Sequence, residues 1–215
     1  MTTRRTGLRE QKKQATRVAL REAALRLALQ YGPENVRVDD IAEAAGVSPR
    51  TYNNYFSSRE QAIVAAVTAE REERIAAAVA DRPAHDRLAD ALADAIVEQY
   101  TEPDDHDVLL LITENPSLRD AFLDTAATLE HPLADAIAQR LGDTAGTLTA
   151  RVLAATVAAA VRAALHQWLQ PPAAPCATGG LVVPSGSLPD LLRSALAALA
   201  PALDAADKLQ DVQTG

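Results

Sequence analysis

One stretch limits what this chain can become: residues 38–56, VDDIAEAAGVSPRTYNNYF. Its first half places Val38, Ile41, Ala42 and Ala45 at i, i+3, i+4 and i+7, one apolar face of a helix. Asp39, Asp40 and Glu43 lie off that face, early in the helix, where acids suit the positive end of its dipole. Gly46 supplies the left-handed stop that a helix end prefers. Ser48-Pro49 then reads as an N-cap followed by proline at the first helical position, where a missing N–H costs nothing. The second helix, expected over about residues 49–55, carries Arg50, Thr51, Tyr52, Asn53, Asn54 and Tyr55 and almost nothing apolar. A helix so short and polar is not stable alone. Its value must lie in what its outer face touches.

That is the logic of a helix-turn-helix, whose second helix enters the major groove of DNA. The side chains fit. Arginine pairs bidentately with guanine, asparagine with adenine, and threonine meets a base edge or a thymine methyl.

The flanks extend the pattern. AALRLALQYG closes a first helix, VDDIAEAAGVS follows, and SPRTYNNYFSSREQAI leads into a long helix. With these segments, residues from about 15 to 65 resemble the DNA-binding domain of the tetracycline-repressor (TetR) family of transcriptional regulators. The likeness covers roughly a quarter of the chain and leaves the ligand open. It implies phosphate contacts from Arg37, Tyr55, Arg59 and helix N-termini such as that capped by Ser48. Base reading falls to Arg50, Thr51, Asn53 and Asn54, while Tyr52 either joins them or packs inward. Many relatives carry threonine where this chain has Arg37. A guanidinium cannot accept from helix N–H groups, so Asp39 is the expected substitute cap.

A net charge of −8 would disfavour DNA if it were spread evenly, but it is not. Residues 1–60 hold 11 Lys/Arg against 7 Asp/Glu, a net of +4, and residues 61–215 hold 10 against 22, a net of −12. A basic head on an acidic body presents one end to phosphate. With only 3% aromatics and much Ala and Leu, the expected class is all-α. The reading is of a three-helix head over residues 1–60, with a basic arm at 1–8, and a ligand-binding and dimerisation bundle over 61–215, about nine helices in all. No run of eighteen uncharged apolar residues predicts a membrane span, and the basic N-terminus lacks the apolar core of a secretory signal. Single Cys176 excludes an internal disulfide, and the expected location is cytoplasmic.

Along the chain, the first helix is expected over about 9–30, with Leu20, Ala24, Leu27, Ala28 and Tyr31 inward. Relatives often place phenylalanine near Ala28, so Tyr31 is the candidate to fill that space. Ser57 or Ser58 caps a fourth helix over about 59–79, with Glu60 or Gln61 completing a capping box. Phe56 is expected to anchor the reading helix to the core. Further helices are expected over 84–100, with Leu88, Leu92, Ala95, Ile96 and Gln99 or Tyr100 inward, and in a short segment ending near Thr113. Others follow over 116–141, bent near His131-Pro132, over 147–169, and over 188–203 with a polar tail fraying from Ala206. Residues 171–187 form a Pro/Gly loop.

The last two long helices are apolar over wide stripes, more than a monomer of this size readily buries. Val157, Val161, Leu165, Leu188, Leu192, Ala195 and Leu199 are therefore the expected dimer seam, which the family resemblance also implies. A dimer would read a palindromic operator. An effector in the bundle has Tyr100, Thr113, Asn115, Phe122, Thr125, Thr156, His166 and Trp168 as polar or aromatic handles among aliphatic side chains. That favours a small apolar or amphipathic molecule. Residues 112–123, ITENPSLRDAFL, and the Ala-rich helix after them are also similar to a subgroup of the family that recognises acyl chains or acyl thioesters. A buried anion is disfavoured, because Arg119, Arg140, Arg151, Arg162 and Arg193 are separated and at polar positions.

Chemistry has little foothold. His85, His106, His131 and His166 are scattered without metal-ligand spacing, and the acidic run Asp104–Asp107 reads as a turn. Gly179-Gly180 is too short to cradle a phosphate, and no nucleophile or nucleotide motif occurs. No enzyme activity, cofactor or metal is expected. The expectation is a homodimeric, ligand-responsive repressor. The alternatives are an activator or ligand-independent regulator of the same fold, an all-α enzyme with a borrowed head, and a DNA-coating protein.

Overall fold

Alanine and leucine at helical spacing become helix through nearly all of the chain that the structure, a computed structural model, describes: residues 3–83, 85–101, 111–142, 146–170 and 187–214. Among the described residues there is no strand, so the all-α expectation stands. The helices are α1 (Thr3–Tyr31), α2 (Val38–Ala44), α3 (Pro49–Tyr52), α4 (Arg59–Asp81) and α5 (Leu88–Thr101). They continue with α6 (Pro116–Thr125), α7 (Glu130–Leu141), α8 (Gly146–Leu169), α9 (Leu188–Ala197) and α10 (Ala200–Thr214). Residues 111–114 are helical too, and short 3-10 turns occupy Pro33–Asn35 and Ala126–Leu129. The acidic run Asp104–Asp107, most of the short segment expected to end near Thr113, Cys176 and nearly all of the Pro/Gly loop lie outside the described residues.

The chain divides into two compact units, Met1–Glu70 with Asp105–Phe122, and Arg71–Asp104 with Leu123–Gly215. Helix α4 runs unbroken through the division at Glu70–Arg71. In the first unit Leu20, Ala24, Ala28, Val36, Ile41, Ala42, Tyr52, Phe56, Ile63 and Val64 are buried. The Arg21 guanidinium, itself buried, ties α1 to α4 through Glu70 at 2.9 Å. Helix α1 starts at Thr3 rather than near Arg9, so most of the expected arm is helical. Tyr31 does not fill the space beside Ala28. It is 56% exposed, and Pro33 and Val36 are buried just beyond it. Helical spacing predicted it inward, but it is the last residue of α1, and after Ala28 burial resumes only at Pro33 and Val36.

In the second unit, α8 packs against α7 and α9, while α9 and α10 pack against α5. Leu88, Leu92, Ile96, Leu133, Ile137, Leu196 and Leu203 are buried there. So are Val157, Val161, Leu165, Leu188 and Leu192, and this corrects the expected dimer seam. Those five belong to the core of their own unit, and Ala195 and Leu199 are half-buried. The apolar stripes were read correctly as needing cover; the cover comes from within the chain.

Two boundaries also differ. The helix expected over 116–141 breaks at Ala126–Leu129, before Pro132, because Pro132 sits in the first turn of α7, where its missing N–H is no loss. The helix expected over 188–203 ends at Ala197, and α10 restarts with Pro201 in its first turn. The tail from Ala206 stays helical. Asp207 accepts from the Leu88 N–H at 2.6 Å, capping α5 from across the unit, and Asp204 pairs with Arg87. Arg140 adds a second tie. Its guanidinium donates to the carbonyls of Val79, Arg82, Pro83 and Asp86 at 2.8–3.3 Å and so fixes the α4–α5 connection.

Candidate nucleic-acid interface

Helix α2 has no conventional cap. Arg37 holds the N-cap position, and its backbone N–H donates to the Asp40 carboxylate at 3.3 Å. The acid at the third helical position thus does the work expected of Asp39, and the helix starts at Val38 as the apolar pattern has it. At the other end Gly46 takes φ +69, and the Val47 N–H reaches back to the Ala42 carbonyl at 2.9 Å. The chain is then turned into α3. Ser48 caps it by accepting from the Thr51 N–H at 3.1 Å, with Pro49 at the first position.

Helix α3 itself is only four residues, shorter than expected, and bonded turns carry it on. The Asn53 N–H donates to Pro49, Tyr55 to Tyr52 at 2.8 Å, and Phe56 to Tyr52 at 3.1 Å. Tyr52 and Phe56, four residues apart, point to one side and are buried to 0% and 2% exposure. Their rings lie 5.8 Å apart, and the Arg17 guanidinium sits 5.6 Å over the Phe56 ring. Arg50, Asn53 and Asn54, spaced i, i+3, i+4, are left exposed on the other side. Ser48 and Arg37 are exposed as well, while Thr51 and Tyr55 are half-buried. The Thr51 hydroxyl shares a 2.9 Å hydrogen bond with the Ser48 hydroxyl. Of the nine residues expected at DNA, eight are exposed or half-buried, Arg59 among them, and Tyr52 alone is buried.

Tyr52 and Arg59 make bonds that hold the turn in place. Tyr52 belongs to the core. Its hydroxyl donates to the Ser58 carbonyl at 2.7 Å, and burial, with a smaller push from the Glu60 carboxylate, raises it to about 12. Arg59 is a clamp: one guanidinium nitrogen donates to the Glu34 and Val36 carbonyls at 3.0 and 2.8 Å, and Nε to Glu60 at 2.7 Å. Burial alone would raise the Glu60 carboxyl. The bonds from Arg59, the Glu60 N–H and Ser58, together with the charge of Arg59, hold it below the ordinary carboxylate range. Helix α4 opens with Ser58 as its cap, accepting from the Gln61 N–H at 3.1 Å. Gln61 reaches back to the Ser57 N–H at 2.8 Å, one residue further than a standard capping box.

The effector handles are divided between the two units. Thr113, Asn115 and Phe122 belong to the first unit, and Tyr100, Thr125, Thr156, His166 and Trp168 to the second. Asn115 caps α6 by accepting from the Leu118 N–H at 3.2 Å, and Phe122 is buried. Thr113, Thr125, Tyr100 and Trp168 are half-buried. Thr156 and His166 are exposed on α8, where Thr156 bonds its own helix at the Val152 carbonyl and His166 meets Gln170.

Sequence reasoning passed over Arg71. It is 4% exposed, with its guanidinium 4.8 Å over the Tyr100 ring, and Arg74 beside it donates to the buried Gln99 at 2.6 Å. Burial pushes the Tyr100 hydroxyl up to about 12, with Arg71 opposing that rise and Glu72 adding to it. The signal was available. Val64, Thr68, Arg71 and Ile75 follow the buried face of α4 at helical spacing, and all four are buried.

Comparison with known proteins places these features. A family model described as bacterial regulatory proteins, tetR family, matches residues 20–66. A second, described as the MftR C-terminal domain, matches residues 86–204, more than half of the chain. The HTH-type transcriptional regulator TcmR of Streptomyces glaucescens is 31% identical over 147 residues, 63% of this chain. The matched part spans 65% of that relative's length.

The Tyr52 arrangement makes a prediction. Tyr52→Phe keeps the ring but loses the bond to Ser58, so stability should fall by about 0.5–1.5 kcal/mol with base preference unchanged. The wild type should lose stability as pH rises from about 10 to about 12, because the unfolded tyrosine ionises first. Tyr52→Phe should show a shallower decline in thermal melts over that range.

Proposed function

The chain belongs to the TetR family of bacterial regulatory proteins, and on that footing we propose that it represses transcription by binding a palindromic operator as a homodimer. The observation that carries the reading is the exposed trio Arg50, Asn53 and Asn54, set on a turn that is anchored from behind by Tyr52 and Phe56. Arg50 and the two asparagines read base edges, with Thr51 contributing its methyl more than its committed hydroxyl. Arg37, Tyr55 and the capped start of α3 at Ser48 meet phosphates. Such work belongs in the cytoplasm. By length and mean hydropathy (1.6) alone helix α8 is apolar enough to cross a membrane, and 44% of that window is buried within the protein.

Arg50→Ala should weaken operator binding by about 1–3 kcal/mol and relax preference at one base position. Arg59→Ala should instead lower the melting temperature of the head, since its bonds to Glu34 and Val36 hold the segment before α2. Equal losses by both variants on operator and random duplex, with melting unchanged, would overturn this division of labour.

The second copy belongs on the faces that the chain leaves open. Leu148 and Val152 on α8 are 74% and 56% exposed, and Ala159 and Ala163 continue that face; Ala197 and Ala198 are exposed at the end of α9. Small and aliphatic side chains there permit close helix approach across a two-fold axis. In sedimentation, Val152→Glu should give a folded monomer that has lost operator affinity. Leu192→Glu should unfold the second unit, because Leu192 is buried within it. A dimer that survives Val152→Glu would place the interface elsewhere.

The effector is a small apolar or amphipathic molecule held in the second unit, which acts through the continuous α4. Half-buried Tyr100, beside the Arg71 guanidinium, offers a hydroxyl to orient one polar end, so an aliphatic chain ending in a hydrogen-bonding group is the reading. In a thermal-shift panel, fatty acyl compounds should stabilise the protein more than the matching alkanes. Stabilisation by sugar phosphates alone, with none from the apolar compounds, would sink the idea.

A further inference from the structure

Helix α1 reaches well beyond the buried core of the head. Among its described side chains the first buried one is Leu20, and Arg9, the run 11–15 and Arg17 are exposed. Residues 3–17, TRRTGLREQKKQATR, carry six Lys/Arg and one acid. Arg9, Lys12, Lys13 and Arg17 fall at i, i+3, i+4 and i+8, one stripe of a helix spanning about 12 Å at 1.5 Å per residue. Gln11, Lys13, Gln14 and Arg17 line a shallow hollow on it. The position of Arg17 says which way the stripe leads. Its guanidinium lies over Phe56, the residue that ends the reading turn, so the exposed part of α1 leaves the core beside that turn.

We propose that the N-terminal half of α1 is a second DNA contact, a basic helical rail that holds the phosphate backbone flanking the bases read by α3. This rests on the DNA-binding reading given above and adds a site to it. A membrane surface is the competing polyanion, but residues 9–17 offer no apolar face to bury in lipid. Between Arg9 and Arg17 every uncharged residue is Gln, Ala or Thr. A run of charge and hydrogen-bond donors without a hydrophobic side suits a phosphate backbone, which takes charge neutralisation without burial. Contacts of this kind add affinity without sequence preference.

The test compares the full-length protein with a triple variant, R9Q, K12Q and K13Q, chosen because glutamine keeps helix propensity. Circular dichroism and sedimentation confirm equal helicity and assembly. Affinity for operator and for random duplex is then measured from 50 to 300 mM salt. Each phosphate contact contributes about 0.9 to the slope of log K against log salt, so a homodimer that loses three contacts on each protomer should show a slope flatter by about 5 units on both duplexes. Its base preference should be unchanged, and the protected footprint should shorten at its outer edges. An unchanged slope and footprint, while Arg50→Ala still shifts base preference, overturns the rail and leaves the regulator reading intact. Loss of binding to anionic vesicles without any change on DNA assigns the stripe to membranes and overturns it too. Failure of the unaltered protein to bind any duplex at low salt removes the regulator reading and the rail with it.

Discussion

A four-residue helix cannot hold itself in place, and the head depends on how α3 is held. Two aromatic side chains on its inner side do this, Tyr52 and Phe56, buried against helices that the chain lays down before and after them. Aromatic burial is the largest single contribution that such a short segment can draw on. The Tyr52 hydroxyl then fixes the segment's rotation through the Ser58 carbonyl, and Arg59 fixes the approach to α2 through two more carbonyls. With its inner side so engaged, the outer side is released from any structural duty. Arg50, Asn53 and Asn54 can be chosen for what they meet in solution.

The same division explains what could be read in advance. Caps, stops and turn residues act on neighbours three or four positions away, so Ser48, Pro49 and Gly46 announce the helix-turn-helix without any knowledge of the fold. Glycine at position 46 is required by its positive φ alone, since a side chain there would meet open space. The substitution of Asp40 for Asp39 as the cap is a local miss of one residue. The larger misses are non-local. Nothing near Tyr31 in the chain says that the core passes it by for Pro33 and Val36, and nothing near Leu192 says whether its cover is α5 and α8 or a second molecule. Periodicity identifies a face that needs burial but not the partner that buries it.

Charged residues took on structural work that their place in the chain does not show. Arg59, expected at a phosphate, also donates to carbonyls of its own unit; Arg71, in the run REER, is buried. Arginine has five donors and a long apolar stem, so it can serve inside a protein as readily as outside. Arg140, with four backbone carbonyls, shows the same use in the second unit. Arg50 and Arg37 are told apart from these only by the exposure of their side chains.

The cap that Asp207 provides for α5 spans 119 residues of chain. On a ribosome that distance is a delay. The first turn of α5 emerges early, but its acceptor follows only after more than half of the protein has been made. The ties of the head are short-range by comparison, Arg17 with Phe56 and Arg59 with Val36 among them. Contacts of low sequence separation form first, and domains assemble in the order in which their contacts become available. The helix-turn-helix can therefore take shape on a nascent chain well before the second unit closes. A protein truncated ahead of α10 would keep the folded turn and leave the first turn of α5 without its cap.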